Sequence, residues 1–66
     1  MKHPFTKAEI ECIQQIADGK LQKIISATTG RSKKTIESHM SNARKRIYAA
    51  NTLHLVAECL RKGWID

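Results

Sequence analysis

Three glycines, Gly19, Gly30 and Gly63, divide this chain of 66 residues into short segments. Each glycine follows a stretch in which apolar residues recur every three or four positions, which is the spacing of an amphipathic helix. Glycine is also the residue most often found just past a helix C-terminus. No stretch alternates apolar and polar residues for long enough to form a strand, so the sequence predicts an all-α fold.

Polar residues mark where the helices begin. Thr6 and Glu9 have the spacing of a capping box, in which two residues three positions apart cap each other's backbone N–H groups. Ser32, and Asn51 or Thr52, are residues that favour the N-cap position of later helices. Four helices are therefore predicted, at residues 7–18, 21–29, 33–48 and 52–62 of a single domain, 1–66.

Each helix is expected to turn one apolar face towards a shared core. The second helix is the least regular, because β-branched residues and a serine crowd its short length. Trp64 and Ile65 are expected to fold back onto the core, and Cys12 and Cys59, which lack a C-x-x-C spacing, to be reduced thiols inside it. The predicted inward residues are Ile10, Cys12, Ile13, Ile16 and Ala17 in the first helix, Leu21, Ile24, Ile25 and Thr28 in the second, Ile36, Met40, Ala43 and Ile47 in the third, and Leu53, Val56, Ala57 and Leu60 in the fourth.

The chain is strongly basic, with 12 lysines and arginines against 6 acidic residues and a net charge of +6. Half of these cations lie between Arg31 and Arg46, where Glu37 is the only acid. This distribution favours a polyanion as the partner. No apolar stretch approaches the roughly 20 residues of a membrane span, and the N-terminus lacks the apolar stretch of a signal peptide, so a cytoplasmic protein without membrane contact is expected.

The third helix carries its charge opposite its apolar stripe, on a face centred on Lys34, Ser38, Ser41 and Lys45. A solvated helix face normally mixes acidic and basic residues, whereas the charged residues around this face are all basic except Glu37. Short polar side chains let a helix approach base edges in the major groove of DNA, and longer cations at its rim reach phosphates. Lysines in the first turn are unfavourable at the positive helix end unless phosphates bind there.

Only Gly30, Arg31 and Ser32 join the second and third helices, which is a helix-turn-helix arrangement. With these landmarks the chain resembles the LuxR-type (GerE-like) helix-turn-helix domain of bacterial transcription regulators from Thr6 to Ile65. The matching motifs are Thr6-Lys7-Ala8-Glu9 for T-x-x-E, Gly19, Gly30-Arg31-Ser32-Lys33-Lys34-Thr35-Ile36 for G-x-S-x-x-T-V, His39-Met40-Ser41-Asn42 for H-x-x-N and Arg46-Ile47 for K-L, with Asn51, Val56 and Gly63 at further landmarks. The resemblance implies a four-helix fold, recognition by the third helix and dimerisation largely through the fourth.

The resemblance also implies roles for individual residues. Base-edge contacts would come from Glu37, Ser38 and Ser41. Phosphate contacts would come from Lys33, Lys34, Thr35, Asn42 and Lys45, with Lys20 and Lys23 added from the second helix. The dimer interface would use Leu53, Leu55, Val56, Cys59 and Leu60. No catalytic residue, metal, cofactor or small-molecule ligand is expected.

The chain also departs from the family pattern. Most departures lie in the second helix, where Leu21, Ile24, Ser26 and Thr29 stand in place of the family's Ser or Thr cap, Glu, Ala and Leu. Glu37 replaces what is often a cation, and it is interpreted either as an acceptor for a cytosine amino group or as an ion-pair partner of Lys33 or Arg44. His39 flanks the core stripe and is interpreted as a structural hydrogen-bonding residue, with a DNA contact as the alternative.

The resulting hypothesis is a sequence-specific regulator that binds double-stranded DNA as a homodimer, on half-sites about one helical turn apart, in the cytoplasm at the nucleoid. The family usually attaches a regulatory domain, and none is expected here because only four residues precede Phe5; the alternative is a domain excised from a longer chain. A different hypothesis is an interaction module that pairs through residues 52–62 with a larger LuxR-type regulator and titrates it. The DNA-binding region of sigma factors is a third resemblance. An enzyme fits worst, because the carboxylates form no constellation with a histidine.

Overall fold

A computed structural model describes residues 2–66 as four α-helices joined by short turns. The helices are α1, Lys7–Ala17; α2, Gln22–Thr29; α3, Lys33–Arg46; and α4, Thr52–Arg61. The predicted all-α fold is confirmed, with every helix end within one or two residues of its predicted position, and the described residues form no strand. None of these helices combines the length and the apolar character that a membrane crossing requires.

Three of the four helices begin on a side-chain cap. The Thr6 hydroxyl accepts from the Glu9 N–H at 3.1 Å and a Glu9 carboxylate oxygen accepts from the Thr6 N–H at 3.0 Å, which completes the predicted capping box. The Ser32 hydroxyl caps α3 and the side-chain oxygen of Asn51 caps α4. Helix α2 follows Leu21, whose apolar side chain accepts no hydrogen bond, so α2 has the weakest start.

A residue in the left-handed backbone region lies one or two positions beyond the end of each helix. These residues are Gly19, Tyr48, Gly30 and Gly63, with φ angles of 83°, 56°, 73° and 70°. After α3, the Ala49 N–H donates to the Arg44 carbonyl at 2.9 Å across the turn that Tyr48 makes. This reversal interrupts the helical hydrogen bonds and ends α3 at Arg46, two residues before the predicted position.

The core lies where α1, α3 and α4 meet, and α2 adds one side chain to it. The buried apolar residues are Phe5, Cys12, Ile13, Ile25, Ile36, Met40, Ala43, Leu55, Cys59 and Ile65. The predicted inward faces of α1 and α3 are confirmed, because their remaining members, Ile10, Ile16, Ala17 and Ile47, are partly buried against this cluster. The chain end folds back as predicted, with the Trp64 ring edge-on to Phe5 at 5.5 Å between centroids.

Both cysteines are buried and free, which confirms their prediction as core thiols. Burial raises the pKa of Cys12 and of Cys59, because a thiolate would lose its hydration among apolar side chains. The charge of Arg31 acts in the opposite direction on Cys12 without reversing the shift. Both residues therefore serve as small, protonated hydrophobes.

The predicted inward face of α2 is wrong. Leu21 is 71% exposed, Ile24 is 49% exposed and Thr28 is also exposed, so Ile25 is the only predicted member inside. The face that meets the rest of the fold consists of Gln22, Ile25, Ser26 and Thr29, at the helical spacing of three and four residues. Because three of these four side chains are polar, a rule based on apolar residues selects a face rotated by one residue.

The predicted inward face of α4 is wrong for Leu53 and Leu60, whereas Val56 is partly buried against the core as predicted. Leu55 and Cys59 are fully buried, whereas Leu53 is 79% exposed and Leu60 is 48% exposed. Leu55 and Cys59 were predicted to lie in a dimer interface, and that prediction is corrected because both side chains are inside the core. This helix is apolar on two sides, so its periodicity alone does not determine which side faces inward.

Candidate nucleic-acid interface

The outer face of α3 brings together the residues predicted to contact DNA bases. Glu37 and Ser38 are exposed, and Ser41 is half-buried one turn further along the same side of the helix. Their side chains project away from the buried stripe of Ile36 and Met40, because that stripe fixes the rotation of α3 on the core.

The residues predicted to contact phosphates lie around this face, in α2 and just before α2. All of them are exposed: Lys20, Lys23, Lys33, Lys34, Thr35, Asn42 and Lys45. Thr35 also takes part in the helix cap, because its hydroxyl lies 2.9 Å from the Ser32 hydroxyl and its N–H donates to the same oxygen at 3.1 Å.

The N-terminus of α3 is open to an anion. Within residues 2–66, the N–H groups of Lys33 and Lys34 donate to no protein acceptor, and neither ammonium group has a carboxylate within ion-pair distance. Free N–H groups and the helix dipole both favour a negative charge at this position. The lysines therefore extend a site that the helix end already provides.

The arginines of the same region make contacts inside the protein. Arg31 pairs with Glu11 of α1 at 3.3 Å, which ties the turn between α2 and α3 to α1. Arg44 donates to the Thr52 hydroxyl at 3.3 Å and so links α3 to the start of α4. Arg31 and Arg44 therefore each make a contact inside the protein, whereas the lysines of α3 pair with no carboxylate among residues 2–66.

Arg46 pairs with Glu9, the only polar residue among residues 2–66 that is buried. Its Nε donates to Glu9 at 2.7 Å and its Nη2 donates to the other carboxylate oxygen at 3.2 Å. Glu9 is 2% exposed, so this pair fastens the C-terminal end of α3 to the capping box of α1. The sequence analysis did not identify this pair, because the two residues are 37 positions apart.

The pKa of Glu9 reflects two opposing influences. Burial, the largest single influence, raises it, whereas the hydrogen bonds from Arg46 and Thr6 and the charges of Arg46 and His39 lower it. The lowering influences prevail together, so the pKa of Glu9 lies below its ordinary value of 4.5. The carboxylate is therefore the form that the folded protein stabilises.

Two interpretations from the sequence are corrected. Glu37 forms an ion pair with neither Lys33 nor Arg44, and its exposed carboxylate remains available on the outer face of α3. The ring of His39 is half-buried but makes no hydrogen bond to any of residues 2–66, so it is not a structural hydrogen-bonding residue.

The turn between α2 and α3 is fixed by a hydroxyl that the family pattern does not contain. Ser26 donates from its Oγ to the Arg31 carbonyl, across the three residues that separate the two helices. Its half-buried position on the inner face of α2 makes this bond possible. Ser26 therefore orients the two helices of the motif.

An open cleft of about 480 Å³ lies at the C-terminal end of the same face of α3. Its lining residues are Ser41, Arg44, Lys45, Tyr48 and Ala49. Because Ser41 belongs both to this cleft and to the outer face of α3, the two are continuous.

Residues 3–59 match the family GerE, described as bacterial regulatory proteins of the luxR family. The chain is 38% identical over 59 residues to the uncharacterised response regulatory protein YgeK of Escherichia coli strain K12. This match covers 89% of the chain and 40% of YgeK. It is 29% identical over 63 residues to the transcriptional regulatory protein DegU of Brevibacillus brevis, and this match covers 96% of the chain and 27% of DegU. It is 31% identical over 62 residues to the transcriptional activator protein LuxR of Aliivibrio fischeri, and this match covers 94% of the chain and 25% of that protein. The chain thus spans between a quarter and two fifths of the length of these relatives.

Proposed function

Because the chain belongs to the luxR family of bacterial regulatory proteins, as its motifs predicted, we propose that it binds double-stranded DNA sequence-specifically and regulates transcription. The observation that carries this proposal is the N-terminal half of α3, where two lysines without internal partners and two free N–H groups border an exposed polar face. Helix α3 lies in the major groove with this end towards the DNA.

Individual side chains then divide into two roles. Glu37, Ser38 and Ser41 meet base edges, with Glu37 accepting from a cytosine amino group because it is exposed and has no internal partner. Phosphates are held by Lys33, Lys34, Thr35, Asn42 and Lys45, and by Lys20 and Lys23 of the preceding segment.

The working form in this proposal is a homodimer. On α4, Leu53 and Leu60 are exposed and Val56, half-buried against the core, lies between them, so the three form an apolar stripe along one flank of the helix. Pairing of two such stripes places two copies of α3 on half-sites about one helical turn apart.

The salt dependence of binding tests the proposal. If each subunit neutralises about four phosphates, the logarithm of the affinity falls with the logarithm of the salt concentration at a slope of about −7. Fluorescence anisotropy with a duplex selected from a random library measures this slope. A flat salt dependence, or equal affinity for selected and unselected duplexes, contradicts the proposal.

A second candidate function rests on the exposed stripe of α4. A surface with Leu53 79% exposed also suits pairing with a larger regulator of the same family, which this chain would then titrate. Gel filtration combined with a mobility shift on random DNA distinguishes the two candidates. A dimer that shifts DNA supports the regulator, whereas a monomer that shifts none and removes a larger relative from its DNA supports titration.

A further inference from the structure

Tyr48 is the one left-handed residue of the described chain that is not a glycine. Gly19, Gly30 and Gly63 make the equivalent turn after α1, α2 and α4, whereas α3 is followed by a tyrosine at φ 56°. An L-residue with a bulky side chain is disfavoured in this region, because its Cβ crowds the following carbonyl. The fold therefore tolerates a cost here that it avoids at the other three turns.

The side chain of Tyr48 makes no hydrogen bond or aromatic contact within residues 2–66 that would offset this cost. It is 92% exposed. Strained positions that contribute no internal contact tend to occur at functional sites.

The surroundings of Tyr48 indicate an anion. It borders the cleft of about 480 Å³ together with Ser41, Arg44 and Lys45, and no acidic residue lines that cleft. Lys45 is exposed. Arg44 donates one N–H group to the Thr52 hydroxyl, and its other guanidinium N–H groups are available to a ligand.

We infer that Tyr48 is a DNA contact at the C-terminal end of the recognition helix, where its hydroxyl donates a hydrogen bond to a backbone phosphate held beside Lys45. This inference rests on the proposed function and extends its footprint beyond the positions that the family resemblance supplied. The left-handed turn directs the phenol outward from the end of α3, next to the face that carries Ser41. The second phosphate site thus lies at the opposite end of α3 from Lys33 and Lys34.

Tyr48→Phe tests the hydroxyl directly, because it keeps the ring and the strained backbone. On a fluorescein-labelled selected duplex of about three helical turns, Tyr48→Phe should bind about tenfold more weakly than the wild type. The slope of log affinity against log salt should stay unchanged, because a phenol is uncharged and releases no counterion. Lys45→Gln is the matched comparison, and it should lower the magnitude of that slope.

Tyr48→Gly separates binding from folding. It should weaken binding to the same extent as Tyr48→Phe while raising the midpoint of thermal unfolding, because glycine relieves the left-handed position. Wild-type affinity in Tyr48→Phe overturns the inference, and so does a changed salt slope in that variant. If the wild-type protein itself binds no DNA, the proposed function fails and the inference fails with it, whereas intact wild-type binding with an unaffected variant refutes the inference alone.

Discussion

The lysines at the N-terminal end of α3 and the arginines at its C-terminal end have opposite relations to the rest of the fold. At the N-terminal end, Lys33 and Lys34 lie beside the positive pole of the helix dipole and pair with no carboxylate among residues 2–66. At the C-terminal end, Arg44 and Arg46 lie where the dipole favours cations, and both donate to side chains of other helices. The arginines thus fix α3 in place, and the lysines leave a local cost that no carboxylate among residues 2–66 offsets.

This difference means that the charge of α3 cannot be treated as one basic patch. Stability should depend on Arg44 and Arg46, and affinity for an anion on the lysines of α3. Substitutions of the arginines and of the lysines should therefore affect different measurements.

The largest expected effect is on DNA affinity at the N-terminal end. Replacing Lys33 and Lys34 together with Ala should weaken binding to all sequences by about a hundredfold, because a dimer loses about four phosphate contacts. Anisotropy titrations over a range of salt concentrations should show a slope that is smaller in magnitude by about 3.5. Unchanged affinity would remove the functional half of the difference between the two ends.

The next effect is on stability at the C-terminal end. Arg46→Met should lower the free energy of unfolding by about 2 kcal/mol, because it leaves the Glu9 carboxylate buried without its partner. This is below the roughly 3–5 kcal/mol expected for fully buried pairs, since Arg46 is itself 41% exposed. Urea unfolding followed by circular dichroism measures the difference.

Glu9→Gln is the matched control for Arg46→Met. Glutamine can still complete the capping box, and the freed guanidinium can reach water, so the loss should be about half as large. Equal losses in the two variants would mean that burial of the carboxylate is not the cause.

Low pH should weaken the ion pair between Glu9 and Arg46. Because the pKa of Glu9 is lowered in the folded protein, the stability it contributes is fully present above its ordinary value of 4.5 and is lost as the pH falls through the lower folded value. The free energy of unfolding of the wild type should therefore fall more steeply below pH 4.5 than that of Glu9→Gln. Parallel curves for the two proteins would contradict the assigned shift.

The smallest effect is the cost of the lysines themselves. Lys33→Glu with Lys34→Glu should raise stability by roughly 0.5 kcal/mol per residue, because acids suit the positive helix end, while DNA binding is abolished. Thermal unfolding measures the gain. Lys2→Glu, at an exposed position outside the helices, measures the effect of half that loss of net charge away from the helix end. A loss of stability in the double variant would show that the lysines support the fold.

The helices could be predicted because their signals are local. The Thr6–Glu9 capping box, the Ser32 cap and the glycines after α1, α2 and α4 each act within a few residues of the chain, so their positions can be read directly. The apolar stripe of α3 was also unambiguous, since the opposite side of that helix has no large apolar residue.

The rotation of α2 and α4 could not be predicted in the same way. In α2 the inner face is mostly polar, and Ser26 and Thr29 use hydroxyl groups there in place of apolar contacts. In α4 Leu53 and Leu55 both offer an apolar side, and only packing against α1 and α3 selects Leu55 for the core.

The sequence by itself determined the fold class, the family and the exposed lysines of α3, because caps, glycine stops and periodicity depend on neighbouring residues alone. Tertiary structure decided which cations remain free, since Arg31 meets Glu11 and Arg46 meets Glu9 across separations of 20 and 37 residues. It also selected the buried side of α4 and directed Tyr48 outward. These choices depend on contacts between helices, which local sequence patterns do not specify.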